Sequence, residues 1–450
     1  MSNKATVALL CGAALLFLGF TVMVPTTWAE DAEDQQGPLR LTLDRAIEMA
    51  LAYNLDMKVA QEDIEAARER QKGARTEFLP SLSGKYSYRR PSEVPYAVIA
   101  GNQIDFADRN QYRFTGTVGQ PLFAGFAILS NYQLAKLGLD VANLQLAQTR
   151  LDLILQVKVA YFAILTAEEL EKVRKQSVEQ LQAELKVAKD FYRVGMSPKI
   201  DVLDAEVRLA EVEQQLIRAE KSVRLTKARL NTILRRPIDQ EIVVADILCH
   251  QPYERTYESC LEISLKGRPE VLEAEKNVAR AEKEITLAKS AYYPEVGLSA
   301  NYYRAGDDAA LNGSDFEDRE NWDVVAEATL TFFEWGKTRH ATSEKRARLR
   351  QAGQILEQIK DAIRLEVKTN YLDLETAEKN IWVAKKSVES AEENFRISKE
   401  RYKEQVATAT EVLDAQTRLT EAKTNHTRAL AEFNVALARL VRAMGIEEAS

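Results

Sequence analysis

The side chains best suited to chemistry in this chain are two pairs of carboxylates with the same spacing. Asp201 and Asp204 are three residues apart, as are Glu411 and Asp414, and residues at this spacing share one face of a helix. Grouped carboxylates attract cations, and crowding of like charges raises the pKa of some of them. A purely local interpretation also exists. Acids in the first turn of a helix favour its dipole, and Thr408 followed by Glu411 fits a capping box.

Other reactive residue types form no recognisable site. The three histidines, His250, His340 and His426, are far apart, and no His-x-x-x-His or Cys-x-x-Cys spacing occurs. Gly336-Lys337-Thr338 resembles the end of a phosphate loop, but Thr331 stands where such a loop requires glycine. We therefore expect no catalytic centre, no metal and no cofactor, and we do not expect an enzyme.

The N-terminal residues have the features of a secretory signal. Lys4 precedes an apolar run over residues 7–24, and Thr27-Trp28-Ala29 offers a small-residue cleavage site. We predict a signal peptide over residues 1–29 and a flexible segment over 30–40, with an uncleaved anchor as the alternative. The later sequence contains no run of about 18 apolar residues, so we predict no transmembrane helix there. The charges are interspersed, so nucleic acid is not an expected partner.

Two cysteines of the exported chain are candidates for a disulfide. Cys249 and Cys260 are eleven residues apart beside a proline-containing loop, and an oxidising compartment favours pairing. The alternative is that Cys260 is a small buried residue at the position that Ala46 occupies in the first half of the chain.

The two halves of the chain repeat one another at an offset of about 210 residues. Val202-Leu203-Asp204-Ala205 recurs as Val412-Leu413-Asp414-Ala415, and Tyr161 matches Tyr371. A repeat this long indicates a duplicated supersecondary unit. We predict repeat 1 over residues 41–235, a linker over 236–257 and repeat 2 over 258–445.

Most of each repeat has the apolar spacing of a helix. The first long run, 127–194, contains no proline, and at 1.5 Å per residue it would extend about 100 Å. Runs of this length favour coiled-coil-like assemblies. Each long run ends in a short turn and is followed by a returning helix, which predicts two helical hairpins: 127–194 with 199–234, and 337–405 with 410–444.

Four short segments alternate apolar and polar residues with a period of two. They cover residues 81–88, 113–118, 295–302 and 322–332. A half-buried sheet of a soluble protein would show the same alternation. Lengths of about 9–11 residues and aromatic ends are, however, typical of outer-membrane barrel strands. Four strands cannot close a barrel, so strands of other copies must complete it, and three copies would supply twelve.

Several motifs, taken in order, resemble TolC-type outer-membrane factors. The hairpin motif is Arg193-Val194-Gly195 followed by Asp201-Val202-Leu203 and Ala205, with an echo before Val412-Leu413-Asp414-Ala415. The motifs that open and close the strand pairs are Phe78-Leu79-Pro80, Tyr292-Tyr293-Pro294, Pro121-Leu122-Phe123 with Gly125, and Phe332-Phe333 with Gly336.

The resemblance implies a mostly α fold with a membrane β-barrel. Each protomer would have a long periplasmic helical barrel segment and four transmembrane strands, and a homotrimer would form a 12-stranded barrel. It further implies a passive exit duct of a tripartite efflux pump or type I secretion system. The implied partners are a periplasmic adaptor, an inner-membrane pump or ABC transporter, and outer-membrane lipid. The alternative is a periplasmic coiled-coil adaptor or scaffold without a barrel.

The resemblance also implies roles for the hairpin turns. The turns would form the periplasmic tip, where adaptors dock, and the acidic pairs would form rings that hold the entrance shut. Two departures from the family pattern occur, since Gln405 replaces a common glycine and Ala407 stands where some members carry a basic residue. Ser197-Pro198 fits an N-cap followed by proline at the first helical position. The docking candidates are Val194, Gly195, Met196, Ser197, Gln405, Val406 and Ala407, and the gate candidates are Asp201, Asp204, Glu411 and Asp414 with Arg193, Arg401 and Tyr402 as partners.

Overall fold

Long helices arranged as two hairpins dominate the part of the chain that the computed structural model describes, residues 39–447. The predicted signal peptide and nearly all of segment 30–40 lie outside the described residues. In chain order the helices are α1 (Leu43–Tyr53), α2 (Leu55–Thr76), α3 (Ala127–Arg193), α4 (Lys199–Ile233), α5 (Tyr257–Gly267), α6 (Pro269–Lys289), α7 (Lys337–Lys403) and α8 (Ala409–Met444). The bounds of α3, α4, α7 and α8 confirm both predicted hairpins to within two residues.

The strands fall into one sheet of four and two small pairs. In chain order they are β1 (Leu39–Leu41), β2 (Ser81–Arg89), β3 (Tyr96–Ile99), β4 (Asn102–Asp105), β5 (Gln111–Ala124), β6 (Ile242–Val244), β7 (Glu295–Gly306) and β8 (Glu320–Thr329). Strand β1 pairs with β6, and β3 forms a hairpin with β4. The turn of that hairpin has positive φ at Ala100 and Gly101, as a tight hairpin requires.

Apart from the β3–β4 hairpin of the first half, the two halves contain the same long helices and sheet strands in the same order. Helices α1, α2, α3 and α4 have 11, 22, 67 and 35 residues, and α5, α6, α7 and α8 have 11, 21, 67 and 36. Even the caps agree, since Thr42 and Thr256 each accept a hydrogen bond from the amide three residues later. The repeat boundaries and the linker stay a prediction, which this order of elements supports.

The long helices lie side by side in the order α4, α3, α8 and α7. Helices α3 and α8 are in the middle of the layer and hold most of its buried residues, whereas α4 and α7 are at its ends. Nearer the sheet, α2 packs on α3, and α6 packs between α3 and α7. None of the helices in the described part of the chain is long and apolar enough to span a membrane.

The four-stranded sheet has the order β2, β5, β7, β8 and is antiparallel throughout. Its register aligns Leu82, Val118, Ala300 and Val324 in one row across all four strands. The prediction for the last strand was too long, because β8 ends at Thr329 rather than at residue 332. Thr329 pairs with the first residue of β7, so no partner exists beyond it.

Candidate functional site

The two hairpin turns have the same backbone geometry. Each long helix ends in a residue with positive φ, and the amide after that residue bonds back into the last turn, which is a Schellman motif. The bonds are Gly195 N–H to Tyr192 O (3.1 Å), Met196 N–H to Phe191 O (2.8 Å), Gln405 N–H to Tyr402 O (3.0 Å) and Val406 N–H to Arg401 O (2.8 Å).

The residue with positive φ differs between the turns. It is glycine in the first turn, Gly195 with φ of 77°, and glutamine in the second, Gln405 with φ of 60°. Glycine adopts this conformation freely, whereas a residue with a Cβ loses about 1–2 kcal/mol there. The missing glycine therefore does not change the path of the second turn, but it strains that turn.

The returning helices also begin differently. Thr408 and Glu411 form the predicted capping box of α8. The predicted cap of α4 was wrong: its N-cap is Pro198, which has no hydrogen-bonding side chain, and the Ser197 hydroxyl is buried without a partner among the described residues. The helix begins one residue later than the pattern suggests, because Pro198 is still extended, with ψ of 158°.

The acidic pairs lie just inside the returning helices. Asp204, Glu411 and Asp414 are exposed, and Asp201 is half-buried. Among the candidate partners, Arg401 reaches an acid of the set, with its guanidinium 3.6 Å from the Glu411 carboxylate. The other arginine does not: Arg193 pairs with Asp190 on its own helix, at 2.7 Å.

Tyr402 is a buried residue rather than a surface partner of the acids. Its ring packs against Phe191 at 5.5 Å between centroids, and its hydroxyl has no hydrogen-bond partner among the described residues. Burial raises the pKa of the Tyr402 phenol, and the negative charges of Asp201 and Glu184 raise it further. Tyr402 thus links α7 to α3 by packing, close to Asp201 of α4.

Glu184 is a residue near the tip that the sequence analysis missed. Its side chain is 8% exposed, and Lys399 Nζ lies 2.7 Å from its carboxylate, an ion pair rather than an aligned hydrogen bond. A signal for it existed, because Glu184 lies three residues after the buried Leu181 and four before the buried Ala188. A charge inside an apolar helical stripe requires an opposite charge or a hydrogen-bond partner.

The docking candidates form two mostly apolar tips. The side chains of Val194, Met196 and Val406 are exposed, as are Gly195 and Gln405, whereas Ser197 and Ala407 are half-buried.

The sheet has one apolar and one polar face, as the alternation predicts. Leu82 and Trp322 are the most exposed side chains of the apolar face, at 82% and 72%. On the polar face, Thr117 donates to Asn301, and Asn301 and Tyr303 both donate to Asp323, over distances of 2.8, 2.7 and 3.1 Å. This network crosses three strands.

Aromatic rings cluster at both ends of the sheet. Tyr88 stacks near Tyr112 at 4.7 Å at one end, and Phe123, Phe126 and Tyr293 pack edge to face at the end that joins the helices. Aromatic belts at both ends of an apolar strand face are typical of membrane barrels.

Cys249 and Cys260 are free thiols in the structure, so the predicted disulfide is not formed. Cys260 points into the core between α5, α7 and α8, where its sulfur is 3.5 Å from the Tyr253 hydroxyl, and Cys249 is exposed on the preceding extended segment. Cys260 is as fully buried as Ala46, which agrees with the alternative interpretation.

Comparison with known proteins finds the same architecture elsewhere. The family model for outer membrane efflux protein matches residues 46–234 and 260–446. Outer membrane efflux protein BepC of Brucella suis is 21% identical over 352 residues, which cover 77% of this chain and 72% of BepC. Solvent efflux pump outer membrane protein SrpC of Pseudomonas putida is 23% identical over 298 residues, 66% of this chain and 62% of SrpC. The CmeC outer membrane channel of Campylobacter jejuni shares the fold, with a TM-score of 0.76 at 17% identity over 90% of this chain and 85% of CmeC.

Proposed function

This chain belongs to the outer membrane efflux protein family, and on that premise we propose that it forms the passive exit channel of a tripartite efflux pump or a type I secretion system. One observation carries the proposal: an amphipathic sheet, whose edge strands β2 and β8 are each unpaired on one side among the described residues, is joined to a helical layer that is open on the same two sides. Membership of the family places the protein in the outer membrane. An inner-membrane pump would supply the energy.

The open edges of the sheet and of the helical layer coincide. One side of the molecule ends in β2, α2 and α4, and the other ends in β8 and α7. Unpaired edges require partners, above all in lipid. Pairing of β8 with β2 of a second copy preserves the antiparallel alternation. The same contact covers exposed apolar side chains at the ends of the helical layer, among them Val207, Ile217, Leu365 and Val383.

Three copies of the chain satisfy these constraints. They supply twelve strands, within the range of outer-membrane barrels, and twelve long helices for the tube below. The apolar face with Leu82 and Trp322 then meets lipid, and the polar network around Asn301 lines water.

The hairpin tips are the proposed adaptor-docking and gating region. The exposed Val194, Met196 and Val406 support docking, because exposed apolar groups at a polar tip are typical of interaction sites. For the gate, three copies would gather Asp201, Asp204, Glu411 and Asp414 into carboxylate rings, with Arg401 and the buried Tyr402 holding neighbouring helices. Gly195→Trp should abolish export and leave trimers in the membrane; normal export by that variant would contradict docking at this turn.

The alternative function, a periplasmic scaffold without a barrel, is not favoured. A soluble scaffold gains nothing from a sheet that exposes Leu82, Trp322 and Val324 on one continuous face. Relatives such as SrpC are named as outer membrane proteins of efflux pumps.

Adjacent valines on β8 provide the test. Val324 lies on the apolar face and Val325 on the polar face of the same strand. Val324→Arg should prevent assembly, since a charge at mid-membrane costs about 2–4 kcal/mol on the lipid side, whereas Val325→Arg and Thr329→Arg should be tolerated. Assembly is measured by outer-membrane fractionation, native mass spectrometry and conductance in planar bilayers. A soluble monomeric wild type, or equal tolerance of the two valine variants, would overturn the proposal.

A further inference from the structure

A cavity of about 630 Å³ on the helical layer has two arginines in its wall. Arg229 of α4 and Arg439 of α8 line it together with Leu155, Val159, Gln156 and Ile233. No carboxylate is present among the described residues that line it. Its volume lies within the range of small-molecule sites, and its floor is apolar.

The two arginines occupy equivalent positions in the two halves. Each stands in the same tripeptide, Ala228-Arg229-Leu230 and Ala438-Arg439-Leu440. Both are exposed, and in the described part of the chain neither has an ion pair or a side-chain hydrogen bond. They differ in this from the buried Arg268, which is held by Glu270 and Glu366. Two unpaired guanidiniums beside an apolar floor form a local positive field without a counter-charge.

The cavity lies on the concave face of the helical layer. A neighbouring cavity of about 590 Å³ shares Val159 and Arg439 and is lined by α3, α4, α7 and α8 at once. Neighbouring helix axes are about 8–10 Å apart, so four helices can line one cavity of this size only by curving around it. Tyr161, about 200° around α3 from Val159, instead contacts the carbonyls of Leu41 and Ala245. The short strands therefore cover the opposite, convex face.

The neighbouring cavity is a poorer anion site. Arg428 lines it, but so do the carboxylates Asp373 and Glu432. Of these two cavities, the one between Arg229 and Arg439 is thus the one whose described lining offers an anion positive charge without carboxylates.

We propose that the cavity between Arg229 and Arg439 binds amphipathic organic anions in transit. A carboxylate or sulfonate would accept hydrogen bonds from the two guanidiniums, which present forked donors to such groups, and its apolar body would lie on Leu155, Val159 and Ile233. The inference rests on the proposed function: three copies close the concave face into a lumen and bring six guanidiniums to one level. It names a substrate class, organic anions, for a channel whose tip is acidic.

Binding of 2-naphthoate to detergent-purified protein tests the site. Isothermal titration should show binding to wild type and a loss of about tenfold or more in the Arg229→Gln/Arg439→Gln double variant, because charge-assisted hydrogen bonds are lost. The cation 2-naphthylmethylammonium should bind the double variant no more weakly than it binds wild type. Arg224→Gln is the matched control, because Arg224 is exposed on the same helix, about 140° away from Arg229. The Arg224→Gln variant should bind naphthoate as wild type does.

Conductance separates failure of the site from failure of the channel. In planar bilayers under a salt gradient, the double variant should shift the reversal potential toward cation selectivity, and Arg224→Gln should not. Conducting trimers with unchanged naphthoate affinity or unchanged reversal potential would overturn the anion site alone. A wild type that forms no conducting trimer would overturn the proposed function and this inference with it.

Discussion

The joint between the two short helices, α1–α2 in the first half and α5–α6 in the second, is stabilised by different side chains in the two halves of the chain. In the first half, Asn54 lies between α1 and α2, where it accepts a hydrogen bond from Asp56 N–H at 2.8 Å and donates to Ile233 O at 3.1 Å. In the second half, Arg268 lies between α5 and α6, where its guanidinium donates to Glu270 and Glu366. Both residues are buried, at 8% and 3% exposure.

The duplicated backbone therefore tolerates different side-chain chemistry at equivalent positions. A neutral joint needs two hydrogen bonds, whereas the charged joint needs a network that extends to Arg442 and, through it, to Asp152 of α3. The tips show the same lesson, with glycine and no side-chain cap in one turn, and strain with a capping box in the other.

Truncation of the buried side chains at the two joints should have the largest effect. Arg268→Ala should reduce the free energy of unfolding by about 3 kcal/mol, the low end of the cost of breaking a buried ion pair, because Arg442 remains as a partner of Glu270 and Glu366. Asn54→Ala should cost about 1–2 kcal/mol, the value of a helix cap. Thermal unfolding followed by circular dichroism measures both. Equal losses at the two joints would contradict the contrast.

Low pH should weaken the charged joint of the wild-type protein. Burial alone would raise the pKa of Glu270, but hydrogen bonds from Arg268 and the charge of Arg442 hold it below its usual range. A lowered pKa stabilises the fold above the pKa of the unfolded chain, about 4.3, and that contribution is lost as the pH falls below it. The melting temperature of wild type should therefore fall more steeply below pH 4.3 than that of Glu270→Gln. If the melting temperatures of wild type and Glu270→Gln fall equally with pH, the protonation of Glu270 is not linked to unfolding.

Exchanging the residues with positive φ tests the difference in backbone strain between the two tips. Gly195→Gln should destabilise the first tip by about 1–2 kcal/mol, and Gln405→Gly should relieve a similar strain in the second. An added Cβ at Gly195 meets no atom within 4 Å, so the expected loss arises from the backbone alone. Local stability is measured by amide hydrogen exchange at the ends of α3 and α7. A change of the same sign in both variants would refute the assigned strain.

The smallest expected effects concern the hydroxyl groups of Thr408, which caps α8, and of Ser197, which has no hydrogen-bond partner among the described residues. Thr408→Ala should cost about 1 kcal/mol because it breaks the capping box with Glu411. Ser197→Ala, one residue before the N-cap of α4, should cost nothing, since its buried hydroxyl has no partner among the described residues. Amide hydrogen exchange at the starts of α8 and α4 measures both effects. An equal loss of local stability in Ser197→Ala and Thr408→Ala would show that Ser197 caps α4 as predicted.

Local patterns predicted the elements of this protein closely, and the errors had both long-range and local causes. Helix ends were predictable because Gly195 and Pro198 interrupt the helical spacing, and strand faces because the period changes to two. The end of β8 was not, because it depends on where β7 begins. Arg193 was assigned to the acids of the tip, but an acid one turn away on its own helix is nearer.

The sequence alone is enough to predict the duplicated order of helices and strands, the two faces of the sheet and the position of the turns, since each depends on neighbours within a few residues. Tertiary structure decided which helices are central, which charges pair and which thiol is buried. Periodicity does not distinguish α3 and α8 in the middle of the layer from α4 and α7 at its ends. Nor could it place Glu184 beside Lys399, or Arg229 across a cavity from Arg439, because these contacts exist only once helices distant in sequence pack together.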